Sequence, residues 1–312
     1  MKAAQINRYG GSETVEINKD AAKPVISDGK LIVEVHAAGV NPFDWKVREG
    51  YMQQRRPLLF PATLGGDFSG VIIEVGKGVS GFKKGDEVYG QAIVLGGGSG
   101  SFAEFALANA NSIADKPESL SHIEAAALPL AGVSAYQALV DHMDLSKGKK
   151  ILIHGGAGGI GTFAIQIAKY LKAYVAVTAS TDSIKYVKDL GADEFIDYKK
   201  QSFENIFKEY DAVFDTVGGD TYEKSFRVLK KGGIIVSMLE QSRPELTERY
   251  GVNAIAQFTQ VTNTRLSNLA KLVDEDAIKV YVDRIFSLDH AREALSYLQT
   301  GHPRGKVVLE IK

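Results

Sequence analysis

Apolar and polar residues alternate along Lys30–Val40 (KLIVEVHAAGV), the period-two pattern of a strand with one buried face. Shorter apolar runs at 71–75, 86–89 and 102–107 predict further strands, and glycine-bearing turns at 76–81 and 96–100 separate them. Short strands so spaced predict a small barrel or sandwich. The opening MKAAQINRYGG reads as a strand and a turn, without an apolar signal core.

Near Leu120 the pattern changes. Residues 121–141 carry apolar positions at helical spacing, with Ser121 as N-cap and Glu124 completing a capping box. Strands at 150–154, 174–178, 194–196, 212–216 and 233–238 then alternate with helices at 159–171, 183–190, 202–207 and 222–229. Such alternation predicts a parallel sheet wrapped by helices on both faces. No element is assigned to 240–260. Helices at 265–274 and 290–300 and a closing strand at 306–311 complete the reading.

The length of 312 residues suits two domains, and 45% hydrophobic content suffices for two cores. A net charge of -1, with both signs interleaved, offers no footprint for nucleic acid or an anionic membrane. No apolar run approaches the roughly 20 residues of a membrane span. Cysteine is absent, which excludes disulfides, thiolate metal sites and a cysteine nucleophile. A cytoplasmic protein is expected, and a homodimer is compatible with the sequence.

Gly156, Gly158 and Gly161 fit G-x-G-x-x-G between an apolar strand and an amphipathic helix. The first glycine is expected to make the tight turn, and the second to admit a pyrophosphate. The third lets helix and strand pack closely. Free N–H groups at the helix start would then face the phosphates. At the end of the next strand an NAD-binding chain usually carries an acid. Here Thr178-Ala179-Ser180-Thr181 stands instead. Ser180 and Thr181 can donate to a 2′-phosphate, Lys185 lies one turn on, and Tyr198 with Lys199 ends the following strand. NADPH is therefore the expected cofactor. Asp182 has the wrong sign for that phosphate unless, as a first-turn acid, it points away.

Beyond these motifs, 125–136 (AAALPLAGVSAY) and the glycine turn resemble quinone oxidoreductases of the medium-chain dehydrogenase/reductase superfamily. Residues 41–46 (NPFDWK), 65–70 (GGDFSG) and 304–309 (RGKVVL) are similar to the branch of alkenal/enone reductases and chloroplast envelope quinone oxidoreductases. The resemblance covers nearly the whole chain. It implies an α/β protein: a GroES-like β-barrel catalytic domain, 1–120 with 262–312, beside a Rossmann doubly wound parallel sheet, 121–261. It also implies cofactor contacts from Lys46, Ala157, Gly158, Gly159, Ile160, Ser180, Thr181 and Tyr198, with Leu239 and Lys306.

Zinc-dependent members of that superfamily use cysteine and a Gly-His-Glu motif, where this chain has Gly65-Gly66-Asp67. Histidines at 36, 122, 142, 154, 290 and 302 lack helical pair spacing, so no metal is expected. Without a Lewis acid the easiest substrates are already electrophilic: a quinone, or the activated C=C of an α,β-unsaturated carbonyl. Charge then develops on the carbonyl oxygen, where donors lower the barrier. Asn41, Lys46 and Tyr51 are the candidates for that end, Lys46 equally for a phosphate or ribose contact. Asp67 reads as an internal hydrogen-bonding residue, and Ser134 and Tyr136 as core-facing. Two other readings stand beside this one: an enoyl-thioester reductase, with Arg55 and Arg56 at its entrance, and a non-catalytic NADPH-binding crystallin-like or redox-sensing protein.

Overall fold

The structure, a computed structural model, describes residues 1–301 and 303–312. It contains two compact units. Met1–Leu130, Val261–Glu275 and Val280–Lys312 form the first; Ala131–Gln260 with Asp276–Lys279 form the second.

Lys30–Val40 is the central strand of the first unit. It pairs antiparallel with Asp67–Val75, Phe105–Asn109 and the C-terminal Lys306–Glu310. The alternation in its first half is used directly: Leu31, Val33 and Val35 enter a core with Phe68, Ile72 and Val88. The second half, Ala37 to Val40, is apolar throughout because both faces are covered. Ala38 and Val40 pack with Ile6, Leu64 and Phe102, whereas Ala37 meets Ala126, Ala127 and Val308. A short sheet of Val15–Asn18, Ala3–Ile6 and Ala62–Thr63 adjoins this core.

The expected helix over 121–141 is interrupted. Ser121 caps His122–Ala126 through the predicted box with Glu124 (2.9 and 3.3 Å). The helix then restarts at Pro129, which lacks an N–H and suits a first helical position. The first of these helices packs on the barrel strand so closely that a Cβ at Gly39 would stand 2.2 Å from the Ala126 carbonyl oxygen. Residues 121–130 consequently group with the first unit, whose first segment ends at Leu130.

In the second unit we number the strands β1 (Lys150–His154), β2 (Tyr174–Ala179), β3 (Glu194–Asp197), β4 (Tyr210–Asp215), β5 (Leu229–Ser237) and β6 (Asn253–Ala256). All pairings are parallel, and the order is β3-β2-β1-β4-β5-β6. Strand order reverses at β1, whose neighbours are β2 and β4. In open α/β sheets the crevice beyond the carboxyl ends at this reversal is where ligands bind. Ile151, Leu152, Ile153, Val175 and Val177 are fully buried, as continuous apolar strands in a two-sided sheet should be. Within 240–260, left unassigned from sequence, lie helix Pro244–Tyr250 and edge strand β6. That strand is only four half-exposed residues and carries no alternation to read.

The buried Tyr89 hydroxyl donates to the Leu266 carbonyl at 2.6 Å and ties helix Asn263–Asp274 to the first unit. Tyr89→Phe should lower stability by about 1–2 kcal/mol, the value of a buried hydrogen bond. An unchanged denaturation midpoint in urea would show that this bond contributes nothing.

Candidate functional site

The glycine turn joins β1 to helix Gly159–Tyr170, and its glycines have different physical duties. Gly161 is held by packing: a Cβ there would lie 2.3 Å from the Gly155 carbonyl oxygen. Gly156 lies against β2, its Cβ position 3.0 Å from Val177 Cβ. The left-handed residue is Gly155, at φ +70°, where a Cβ would also meet Thr216 Oγ1 at 2.6 Å. The tight turn expected of Gly156 therefore belongs to Gly155, one residue before the motif. The run Gly155-Gly156 conceals this, because sequence cannot tell which glycine takes positive φ.

Gly158 is different. Its Cβ position has only the Gly155 oxygen near it, at 3.5 Å, so the space in front is open. It precedes the helix in extended conformation (φ −74°, ψ 174°). The N–H groups of Gly159, Ile160 and Gly161 have no acceptor among the described residues. Open room, free donors and the positive end of a helix make a cradle that fits a dinucleotide pyrophosphate.

At the end of β2, Ser180 Oγ lies 3.2 Å from Ser183 Oγ. Ala179 pairs with Asp197, which brings Ser180 and Thr181 beside Tyr198. Asp197 is the surprise, an acid that sequence spacing did not bring to this place. It accepts a short hydrogen bond from the Thr181 hydroxyl, takes the Lys199 N–H at 3.0 Å and faces Lys200 at 3.6 Å. Those partners, Thr181 first, hold its carboxyl below the usual range. The Thr181 proton is thus engaged within the protein. The Lys185 side chain is 87% exposed and pairs with Asp189 at 2.6 Å along its own helix. Asp182 is exposed.

Leu239 is exposed, and its N–H meets Ser237 Oγ at 3.2 Å. Ser237 donates to the fully buried Asp215 at 2.7 Å, whose other oxygen takes the Val217 and Gly218 N–H groups, each at 3.0 Å. Asp215 therefore shapes the turns beyond both β4 and β5. Its signal in the sequence was a lone acid ending an apolar strand.

In the first unit, the candidate Asn41 precedes helix Pro42–Arg48 and is buried. Its amide donates to Asp67 at 2.8 Å, and its carbonyl takes a short bond from the Lys306 ammonium. Lys306 also donates to the Val40 carbonyl at 3.1 Å. Asn41 and Lys306, expected as a substrate donor and a cofactor contact, thus also belong to an internal network, with one amide N–H and one ammonium N–H not engaged by these bonds. Asp67, the internal hydrogen-bonding residue of the sequence reading, also accepts from Gln91 (2.8 Å) and from the Leu130 N–H (3.0 Å). Asp44 takes the Asn41 N–H at 2.7 Å. Burial pushes the Asp67 carboxyl up and the Lys306 ammonium down, and raises Asp44 to about 8.

Lys46 stands on the same helix, half-buried. Its ammonium is 5.6 Å from the Trp45 ring centroid and has no acidic or hydrogen-bonding partner among the described residues. Tyr51 is 66% exposed and packs edge-on to Trp45 at 5.9 Å. Ser134 is buried against the Thr259 hydroxyl, 2.8 Å away, and Tyr136 is half-buried.

Among the described residues no group of three or more His, Asp or Glu is arranged to hold a metal ion. His302 lies outside them. Asp67, where the zinc-dependent motif would carry its glutamate, is fully occupied by internal donors.

Comparison with known proteins agrees with this geometry. Residues 27–118 match the family model for the alcohol dehydrogenase GroES-like domain, and 190–309 match that for zinc-binding dehydrogenases. The chain is 37% identical to 2-methylene-furan-3-one reductase of Solanum lycopersicum, over 99% of its own length and 79% of that protein's. The quinone oxidoreductase of Coxiella burnetii superposes with a TM-score of 0.90 at 35% identity, covering 100% of this chain and 99% of that one. Quinone oxidoreductase of Escherichia coli, solved with NADPH, gives 0.88 at 25% identity, covering 99% and 100%.

Asp44 generates a pH prediction. In the fold it keeps its proton to about pH 8, whereas an unfolded aspartate releases it near 3.8. A raised folded pKa gives stability that is complete below the unfolded value and is lost as pH rises towards 8. Asp44→Asn cannot titrate. Its stability slope between pH 5 and 7.5 should flatten by about one proton, or ~1.4 kcal/mol per pH unit. Parallel slopes for variant and wild type, from denaturation at several pH values, would refute this assignment.

Proposed function

We propose that this chain, which belongs to the zinc-free quinone and enone oxidoreductases of the medium-chain dehydrogenase/reductase superfamily, is an NADPH-dependent reductase of quinones and α,β-unsaturated carbonyls. The observation that carries the reading is the cradle at Gly158: open space before a helix whose first N–H groups have no protein acceptor. When bound, NADPH supplies the reducing equivalent to an electrophilic carbon.

The residues of the chain bind, orient and stabilise. Gly159, Ile160 and Gly161 hold the pyrophosphate through their N–H groups. Ser180 and Tyr198 frame the 2′ end, with Thr181 and Asp197 bracing the loop. Lys46 keeps its charge for a ligand because no carboxylate neutralises it among the described residues; we assign it to the oxygen on which negative charge develops. Tyr51, beside Trp45, lines the approach. Asn41, Asp67 and Lys306 hold the end of strand Lys30–Val40, from which the Lys46 helix starts.

The reading includes a homodimer and residence in the cytoplasm. An open sheet edge at β6, which pairs only with β5 among the described residues, and Phe258, 73% exposed beside it, support the dimer. A chain without cysteine needs no oxidising compartment.

Purified protein should consume NADPH faster than NADH with quinones, short enones or alkenals, and EDTA should leave the rate unchanged. Failure across that panel, or activity lost to chelation and restored by zinc, would defeat the reading. Gly158→Val should fold, since its φ and surroundings suit any residue. It should weaken NADPH at least tenfold by filling the approach to the phosphates; wild-type affinity in the folded variant would remove the cradle.

A further inference from the structure

His154, the last residue of β1, is fully buried beneath the glycine turn, yet both its ring nitrogens have partners. Nε2 lies 2.9 Å from Ser225 Oγ, whose own proton goes to the Thr221 carbonyl at 2.6 Å. The Ser225 oxygen is therefore the acceptor, and the imidazole proton sits on Nε2. Nδ1 is left to accept, and the Thr178 hydroxyl, 3.0 Å away, donates to it. The Thr178 oxygen in turn receives the Gly155 N–H at 3.4 Å. One directed chain thus runs from Gly155 N–H through Thr178, His154 and Ser225 to the Thr221 carbonyl.

Its starting point matters because Gly155 is the left-handed residue on which the turn is built. The next donor, Gly156 N–H, goes to the backbone carbonyl of the same Thr178 at 3.1 Å. We infer that His154 is a positioning residue for the cofactor: as a neutral Nε2–H imidazole it orients Thr178, which holds Gly155 and keeps the glycine turn in its phosphate-cradling shape. Burial supports the neutral form by lowering the ring pKa to about 4 against the opposing charges of Asp215 and Glu204. Phe203 covers the ring edge-to-face at 4.5 Å.

The inference rests on the reading of this turn as the NADPH cradle, and its test separates the two. The side-chain oxygen of Asn overlays Nδ1, and the side-chain nitrogen of Gln overlays Nε2. His154→Asn therefore keeps the acceptor for Thr178, whereas His154→Gln keeps only the donor to Ser225. Thr178→Val removes the hydroxyl and leaves the histidine intact. Two quantities are measured on folded proteins with matched thermal midpoints: the NADPH dissociation constant by fluorescence titration, and the hydrogen-exchange rate of the Gly155 N–H without cofactor. His154→Gln and Thr178→Val should weaken NADPH about three- to tenfold and speed the exchange, while His154→Asn stays within about twofold of wild type on both. Equal behaviour of the Asn and Gln variants, or wild-type exchange in Thr178→Val, overturns the inference. Altered exchange in the predicted order, in a wild type that binds no NADPH, upholds the hydrogen-bond chain and overturns the cofactor reading instead.

Discussion

Two carboxyl groups and an ammonium lie buried together where strand Lys30–Val40 ends, and the first unit is organised around keeping each of them hydrogen-bonded. Buried charge without partners costs several kcal/mol per group, so the segments that supply partners cannot drift apart. Asp67 gathers donors from Asn41, Gln91 and Leu130, and Lys306 brings in the C-terminal strand. Five stretches distant in sequence are thereby fixed to one point. The helix bearing Lys46 begins there, and that lysine has no acidic partner among the described residues.

The second unit follows a different rule, the close approach of backbone to backbone. Gly161 against the Gly155 carbonyl, and Gly156 against Val177, let helix, turn and sheet pack without side chains between them. The turn lies beyond the carboxyl end of β1, where the strand order reverses. At Gly158 the same absence of a side chain leaves open space instead. Identical residue types thus serve packing in one direction and ligand approach in the other.

Most of the fold was legible from sequence because it rests on local periodicity. Period-two alternation marked the barrel strands, and apolar runs between helical stretches marked the parallel sheet. The failures have particular causes. Strand β6 is short and half-exposed, so neither alternation nor an apolar run announced it. Pro129 broke a helix whose apolar spacing continued through it. The pattern changes at Leu120, while contacts of Ala126, Ala127 and Leu130 tie the next ten residues to the barrel.

At the candidate site, sequence by itself determined the chemistry on offer. A glycine motif at a strand-to-helix junction, no cysteine, no acid directly ending the second strand and a lysine after the central barrel strand all follow from residue identity and order. Tertiary structure decided which of those groups have internal partners. Asn41 bonds to both Asp67 and Lys306, Thr181 donates to Asp197, and Gly155 rather than Gly156 takes the left-handed conformation. The physical reason is that spacing specifies which side chains exist along a strand or helix. Whether a donor still has a proton to offer depends on partners brought from elsewhere in the chain.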